Sequence, residues 1–292
     1  MGVFCYLCFP INKQKQKLPY VRSTRQRYDK FGNSSPSLNR KTWFCKADIV
    51  EVINCILYKL KTGIQWRFLP LTALFSDVVL SYKTVFYHFR KWSKNGEWKS
   101  VWINLLSKYR DKLDMSSVDL DGSHTRATKG GESVGYQGRK KSNTTNALYL
   151  TDRQGIPLAM SEPISGEHHD LYEIEKSMSD IFETLREAHI HVDGLFLNAD
   201  AGFDCKGFRK ECKDRGIFPN VCFNKKNKEH DDDDCVDELL YSERYSIERT
   251  NAWLDSFRSI LIRHDTTLQV GKLGITLLLP SYFSENVKLS IV

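Results

Sequence analysis

Leu195-Phe196-Leu197-Asn198-Ala199-Asp200 is a short apolar run that ends on a carboxylate. A run of this length bounded by polar residues reads as a buried strand, and an acid at its end lies where open sheets gather ligand sites. Upstream, Val118-Asp119-Leu120-Asp121 repeats the arrangement, with Asp119 and Asp121 as alternative working acids. Downstream, YSERYSIERTNAWLDSFRSIL (241–261) is a helical stretch that contains Glu248. Its residues Ile247, Thr250, Leu254, Phe257 and Leu261 share a stripe expected to pack on the sheet. Arg244, Glu248, Asn251, Asp255 and Arg258 form the polar stripe beside it. Two acids at strand ends and a third on a late helix are what a two-metal phosphoryl-transfer centre needs. There, divalent ions about 3.5–4 Å apart share acidic ligands that converge from separate elements. Arg244 and Arg258, flanking Glu248, are placed to hold phosphates.

The segments between these acids set the fold class. Apolar runs at 117–121, 146–150 and 155–160 read as strands, the last two joined by the hairpin signal Asp152-Arg153-Gln154-Gly155. A helix over 169–188 follows, then a strand at 194–199, a helix at 204–215, a strand at 217–222 and a long helix over about 241–262. Strand, strand, strand, helix, strand, helix, strand, helix is the order of an α/β, ribonuclease-H-like mixed sheet flanked by helices.

Before that core the pattern is helical. Ile49, Val50, Val52, Ile53, Ile56 and Leu57 recur at helical spacing, and Gly63 stands just past them as a stop signal. A second helix spans 84–94, with Phe86, Phe89 and Trp92 on one face and Arg90, Lys91 and Lys94 elsewhere. A third spans 97–113. Helices of this length with a basic member read as a helix-turn-helix-like unit, with Arg90, Lys91 and Lys94 as candidate DNA contacts; a plain three-helix bundle is the alternative. The organisation expected is therefore a basic, loosely ordered arm at 1–42, a helical DNA-binding domain at 43–114, a catalytic domain at 115–267 and an atypical tail at 268–292.

Charge supports that division. Residues 1–100 carry 18 Lys and Arg against 5 Asp and Glu; the remainder carries 25 against 31, so a basic first third is joined to a mildly acidic core. This suits a nucleic-acid-binding module fused to a metal-binding one. The 292 residues, 41% hydrophobic and 27% charged, are those of a soluble globular chain. No apolar run approaches the roughly 18 residues of a membrane span. The eight cysteines read as buried thiols of an intracellular protein.

Three blocks resemble a known family. Asp121-Gly122-Ser123-His124, Asn198-Ala199-Asp200-Ala201-Gly202-Phe203-Asp204 and Tyr241 to Thr250 are similar to the signature blocks of DDE transposases, nearest to the bacterial insertion-sequence family five group. Tyr241, Arg244 and Glu248 fit the family spacing of Tyr, two residues, Arg, three residues, Glu. Residues 62–70, TGIQWRFLP, resemble that group's DNA-binding region. The resemblance implies that Asp121, Asp200 and Glu248 are the catalytic, metal-binding triad, served by two Mg²⁺ or Mn²⁺ ions, and that Tyr241 and Arg244 help position DNA. It implies binding to the terminal inverted repeats of an insertion sequence, cleavage, and joining to target DNA, by a homodimer on paired ends in the bacterial cytoplasm near the nucleoid. A ribonuclease-H-like nuclease and an inactive DNA-binding remnant are the alternatives.

The chain departs from the family twice. Asp255 stands where a basic residue often follows the Glu by seven positions. After Thr267 the expected aromatic closing helix gives way to a stretch holding Gly271, Gly274 and Pro280, the pattern of a reading-frame change near 268–270 and of an inactive copy that keeps its triad. Elsewhere, Cys5-x-x-Cys8 is half a zinc site without a second pair. Glu167-His168-His169-Asp170 reads as the cap of the helix that follows, with His169 or Asp170 near its start and metal binding as the alternative. The basic, glycine-containing stretch 126–141 reads as a mobile loop able to track a DNA backbone.

Overall fold

The computed structural model of the chain describes residues 48–224 and 236–267. The expected arm, the Cys5/Cys8 pair, the acidic run at 231–234 and the atypical tail lie outside the described residues.

Strand β1 (Ser117–Ala127) is the axis of the sheet. Its apolar residues Val118 and Leu120 are fully buried. It pairs antiparallel with β3 (Ser142–Asp152), from Val118 opposite Asp152 to Arg126 opposite Thr144. On its other edge it pairs in parallel with β6 (Phe196–Ala199), which in turn pairs in parallel with β7 (Phe218–Val221). Three short strands share the outer edge of β3: β2 (Gly135–Gln137), β4 (Pro157–Met160) and β5 (Ile164–Ser165). The two-residue β8 (Ile262–Arg263) runs parallel to the end of β1. An antiparallel meander β1-β3-β4 continued by two parallel strands is the mixed sheet of a ribonuclease-H-like fold, as the element order implies.

The helical part begins with α1 (Ile49–Thr62), whose first turn is capped by Asp48 accepting from Val50 N at 2.9 Å. It ends at Gly63, held at φ 70°, a left-handed cap that glycine adopts without steric cost. Then come α2 (Leu71–Leu74), α3 (Tyr82–Lys94) and α4 (Glu97–Tyr109). Their apolar faces do not close on themselves alone. Val52, Ile56, Phe89, Trp98 and Trp102 belong to one continuous core with Leu120, Leu150 and Leu158 of the sheet. Trp102 Nε1 donates to Leu158 O at 3.1 Å, and Lys59 Nζ donates to Ser259 Oγ at 2.9 Å.

The second half adds α5 (Ile174–Glu187), α6 (Lys206–Lys213), α7 (Glu238–Ser242), α8 (Tyr245–Asp255) and α9 (Arg258–Leu261). Four local expectations are corrected. The single helix over 241–262 is three helices, broken at Glu243–Arg244 and at Ser256–Phe257. Of its apolar stripe, Ile247, Thr250, Leu254 and Phe257 are buried, but the second break turns Leu261 outward to 43% exposure and Ile260 inward. The helix expected from residue 169 starts at Ile174, because Glu173 takes a left-handed φ of 49°. The stretch 126–141, expected as a loop, holds the end of β1 and all of β2.

Candidate active site

Asp119 and Asp121 lie two residues apart on β1 and so face the same side of the sheet. Helix α8 covers that side. Its Ser246 Oγ donates to Asp119 Oδ2, while Asn198 Nδ2, from β6, donates to Asp119 Oδ1 at 2.8 Å. Asn198 accepts in turn from Asn220 of β7 at 2.7 Å, and Asn220 Oδ1 accepts from the Asp237 N–H at the head of α7 at 2.8 Å. Asp119 is thus the inner end of a polar ladder that ties three strands to two helices, and it is only 1% exposed. Asp121, one step further out, keeps a quarter of its side chain open and accepts from Asn251 Nδ2 of α8 at 3.0 Å. Of the two alternatives, Asp119 is committed to structure and Asp121 is open to solvent.

The register brings the second acid level with the first. Asp119 faces Asn198 across the parallel β1–β6 pair, so two residues on, Asp121 is level with Asp200 just past the end of β6. There the chain turns, with Asp200 Oδ1 accepting from Gly202 N at 2.8 Å to cap a short 3₁₀ turn over Ala201–Phe203. The third acid comes from α8. Arg244 links it to the first: Nη1 lies 4.0 Å from Asp121 Oδ1, and Nη2 lies 4.0 Å from Glu248 Oε1. Among the described residues neither the buried Arg244 Nη1 nor the buried Asn251 Oδ1 has a hydrogen-bond partner. The guanidinium also lies 5.9 Å above the Tyr241 ring. Burial, the neighbouring Cys222 thiol and Asp200 raise the Tyr241 phenol, against the pull of Arg244.

Electrostatics mark Asp121 as the pivot. Burial pushes its pKa from 3.8 up to about 6. Arg244 and the Gly122 N–H oppose that rise, and the charges of Asp200 and Asp170 add to it. A half-buried carboxylate among other carboxylates, with a cation drawn toward it, favours positive charge between them. The donors suit a divalent ion: all three are hard oxygens, and Mg²⁺ takes one or two carboxylates while completing its octahedron with water and phosphate oxygens. Among the described residues no three Asp, Glu, His or Cys side chains stand close enough to close on one ion. Asp121, Asp200 and Glu248 are therefore not drawn together around one point in the metal-free chain. Glu248 is the most exposed of them, at 68% of its side chain.

The remaining candidates fall in two places. Arg90, Lys91 and Lys94 are exposed on α3, and Lys83 and Tyr87 continue the stripe at positions 83, 87, 90 and 94. The opposite face is anchored by Phe89 and Phe86, whose rings lie 5.0 and 5.2 Å from Trp66. Arg258 does not share the α8 polar stripe: beyond the Ser256–Phe257 break it lies on α9, its Cβ against Gly63. Four residues of the site went unassigned from sequence. Ser246, Asn251 and Asn146 act through contacts more than twenty residues away or on another element, which no local pattern reports. Asp170, expected near the helix start, instead accepts from Asn146 Nδ2 at 2.7 Å and lies on Gly122.

The strand order is that of a ribonuclease-H-like mixed sheet, with Asp121 and Asp200 level on neighbouring strands. Residues 120–274, just over half of the chain, match the family model "DDE superfamily endonuclease", and the chain belongs to that family. Residues 35–102 match the model "Putative transposase of IS4/5 family". An 82-residue stretch is 35% identical to the insertion element IS402 uncharacterized 16.2 kDa protein of Burkholderia cepacia. That stretch is 27% of this chain and 53% of that protein, so the chain spans about half the length of the curated relative it matches. Among solved structures, the piggyBac transposase synaptic complex with hairpin DNA aligns with 92% of this chain and 73% of its own at 9% identity, with a TM-score of 0.49. The Mos1 transposase paired-end complex with left transposon end aligns with 94% and 89% at 13% identity, with a TM-score of 0.28. At such scores the strand order described above, rather than superposition, carries the fold. Among the described residues no helix is long and apolar enough to cross a membrane.

Proposed function

We propose that this chain is a transposase that binds the terminal inverted repeats of its insertion sequence and performs metal-dependent DNA cleavage and strand transfer. The observation that carries the reading is the level placement of Asp121 and Asp200 on neighbouring parallel strands, with Arg244 joining Asp121 to Glu248. In this reading Asp121, Asp200 and Glu248 hold two Mg²⁺ or Mn²⁺ ions. When bound, the ions lower the pKa of the attacking water or 3′-hydroxyl and stabilise the leaving oxygen of an in-line displacement.

The chain's own residues do the rest. Asn251 orients the Asp121 carboxylate through its 3.0 Å hydrogen bond. Arg244, whose Nη1 makes no hydrogen bond among the described residues, is positioned to donate to a phosphate oxygen, and Tyr241 packs against its guanidinium. Arg90, Lys91 and Lys94 grip the end DNA as part of a helical binding domain over 43–114, and Arg258 supplies a further phosphate contact. Target DNA and a second copy on the paired end complete the assembly, inside the bacterial cell at the nucleoid.

The test uses purified protein and DNA that carries the element's ends. Asp121→Asn, Asp200→Asn and Glu248→Gln each abolish cleavage, by at least about a hundredfold given the terms such groups supply, and each leaves end binding in place. Cleavage retained by any one of them removes that residue from the centre. Cleavage without joining to a target makes the chain a nuclease instead.

A further inference from the structure

Resting on that reading, we propose that Asp170 is a positioning residue for the centre: a fourth acid that acts on Asp121 and its metal from the opposite face of β1. Side chains alternate along a strand, so where Asp121 turns toward α8, position 122 turns the other way. That position is glycine. A Cβ there would overlap Asp170 Oδ1 and lie 2.5 Å from its Cγ, so the carboxyl group fills the space a side chain would take. Asn146, fully buried on β3, fixes it by donating Nδ2 to Asp170 Oδ1 at 2.7 Å.

The loop that delivers Asp170 is itself built onto the sheet. Ile164 and Ser165 pair with Asn146 and Thr145 of β3, Gly166 N donates to Thr144 O at 3.1 Å, and Gln137 Nε2 donates to Gly166 O at 3.1 Å. Gly166 lies so flat on Thr144 that a Cβ would overlap the Thr144 backbone and hydroxyl oxygens. Gly122, lying against Asp170, and Gly166, lying against Thr144 of β3, thus let a carboxylate settle behind β1 next to Asp121. From there it acts twice. It fixes the backbone of β1 at Gly122, and its charge joins those of Asp121 and Asp200 in drawing a divalent cation.

Asp170→Asn separates the charge from the shape, because the amide oxygen still accepts from Asn146. Mn²⁺ affinity of the DNA-free full-length protein, measured by calorimetry, should fall roughly tenfold, as it does when groups behind a metal's ligands are changed. Cleavage should shift to higher Mn²⁺ concentration and recover there, while end binding stays unchanged. Gly122→Ala, which displaces the carboxylate and leaves its charge, should raise the Mn²⁺ requirement in the same direction. Should Gly122→Ala fail to fold, the Asp170→Asn measurement decides. Wild-type protein that binds Mn²⁺ and cleaves, beside Asp170→Asn with the same affinity and the same metal dependence, overturns this inference alone. Wild-type protein that neither binds Mn²⁺ nor cleaves overturns the proposed function and this inference with it.

Discussion

Asp121 sets the terms at the scale of single residues. Its carboxyl is lifted to about 6 chiefly by burial, with Asp200 and Asp170 adding and Arg244 opposing. The folded chain therefore holds this proton between about pH 4 and 6, where the unfolded chain has lost it. Metal-free stability contributed by that site is lost as pH rises through the window, and above it the ionised, half-buried group is a cost. Asp121→Asn should stabilise the metal-free protein at pH 7.5 by roughly 2 kcal/mol, a gain absent at pH 4. Thermal melts at the two pH values check it, and an equal gain at both would place the effect elsewhere. Under the proposed function the same substitution should abolish cleavage, so one residue would separate stability from activity. Asp121 was legible in the sequence because an acid closed an apolar run. Its partners were not: Asn251 stands 130 positions away, and Asp170 sits in a motif whose most economical local explanation was a helix cap.

Elements show what periodicity can and cannot carry. The apolar runs at 117–121 and 146–150 announce the middles of β1 and β3, and the helices at 49–62 and 82–94 announce themselves through apolar spacing that matches the side they bury. Strands β2, β5 and β8, with two or three residues each, are too short to show any period and exist through pairing with β1 and β3. The break at Ser256–Phe257 has neither proline nor glycine to signal it. Past it, Ser259 Oγ donates to Lys59 O at 3.0 Å, so the packing of α1 dictates where the polypeptide turns. Helix α3 keeps its apolar side on Trp66 and its basic side in solvent. If it meets the DNA backbone, Arg90→Ala and Lys94→Ala should each weaken end binding and lower the slope of log affinity against log salt by about 0.9. Titrations at several salt concentrations measure the slope. A slope identical to wild type in both variants would move the contact off α3, and the double variant should still melt as wild type because both side chains are exposed.

Across the whole molecule the helical first part and the sheet behave as one packed body. Trp102 is 2% exposed and reaches the Leu158 carbonyl, while Lys59, held beside Ser259, has its ammonium pKa lowered by burial against the pull of Asp265. Trp102→Ala should therefore cost about 3–5 kcal/mol and lower one common transition, not the helices alone. Calorimetry would reveal two separated transitions if the helices and the sheet were energetically independent. The helical pattern suggests a division near residue 114, whereas the shared core is invisible to it, because each apolar face looks self-sufficient until its neighbour is known.

The hydrogen bond from Trp102 to a sheet carbonyl has a consequence for inheritance. A gene shortened after its first third would yield helices with the Trp102 indole facing water, a product fit for proteolysis or clumping. Under the proposed function, DNA binding and cleavage are thus hard to pass on separately, and decay of such a gene should extinguish both together.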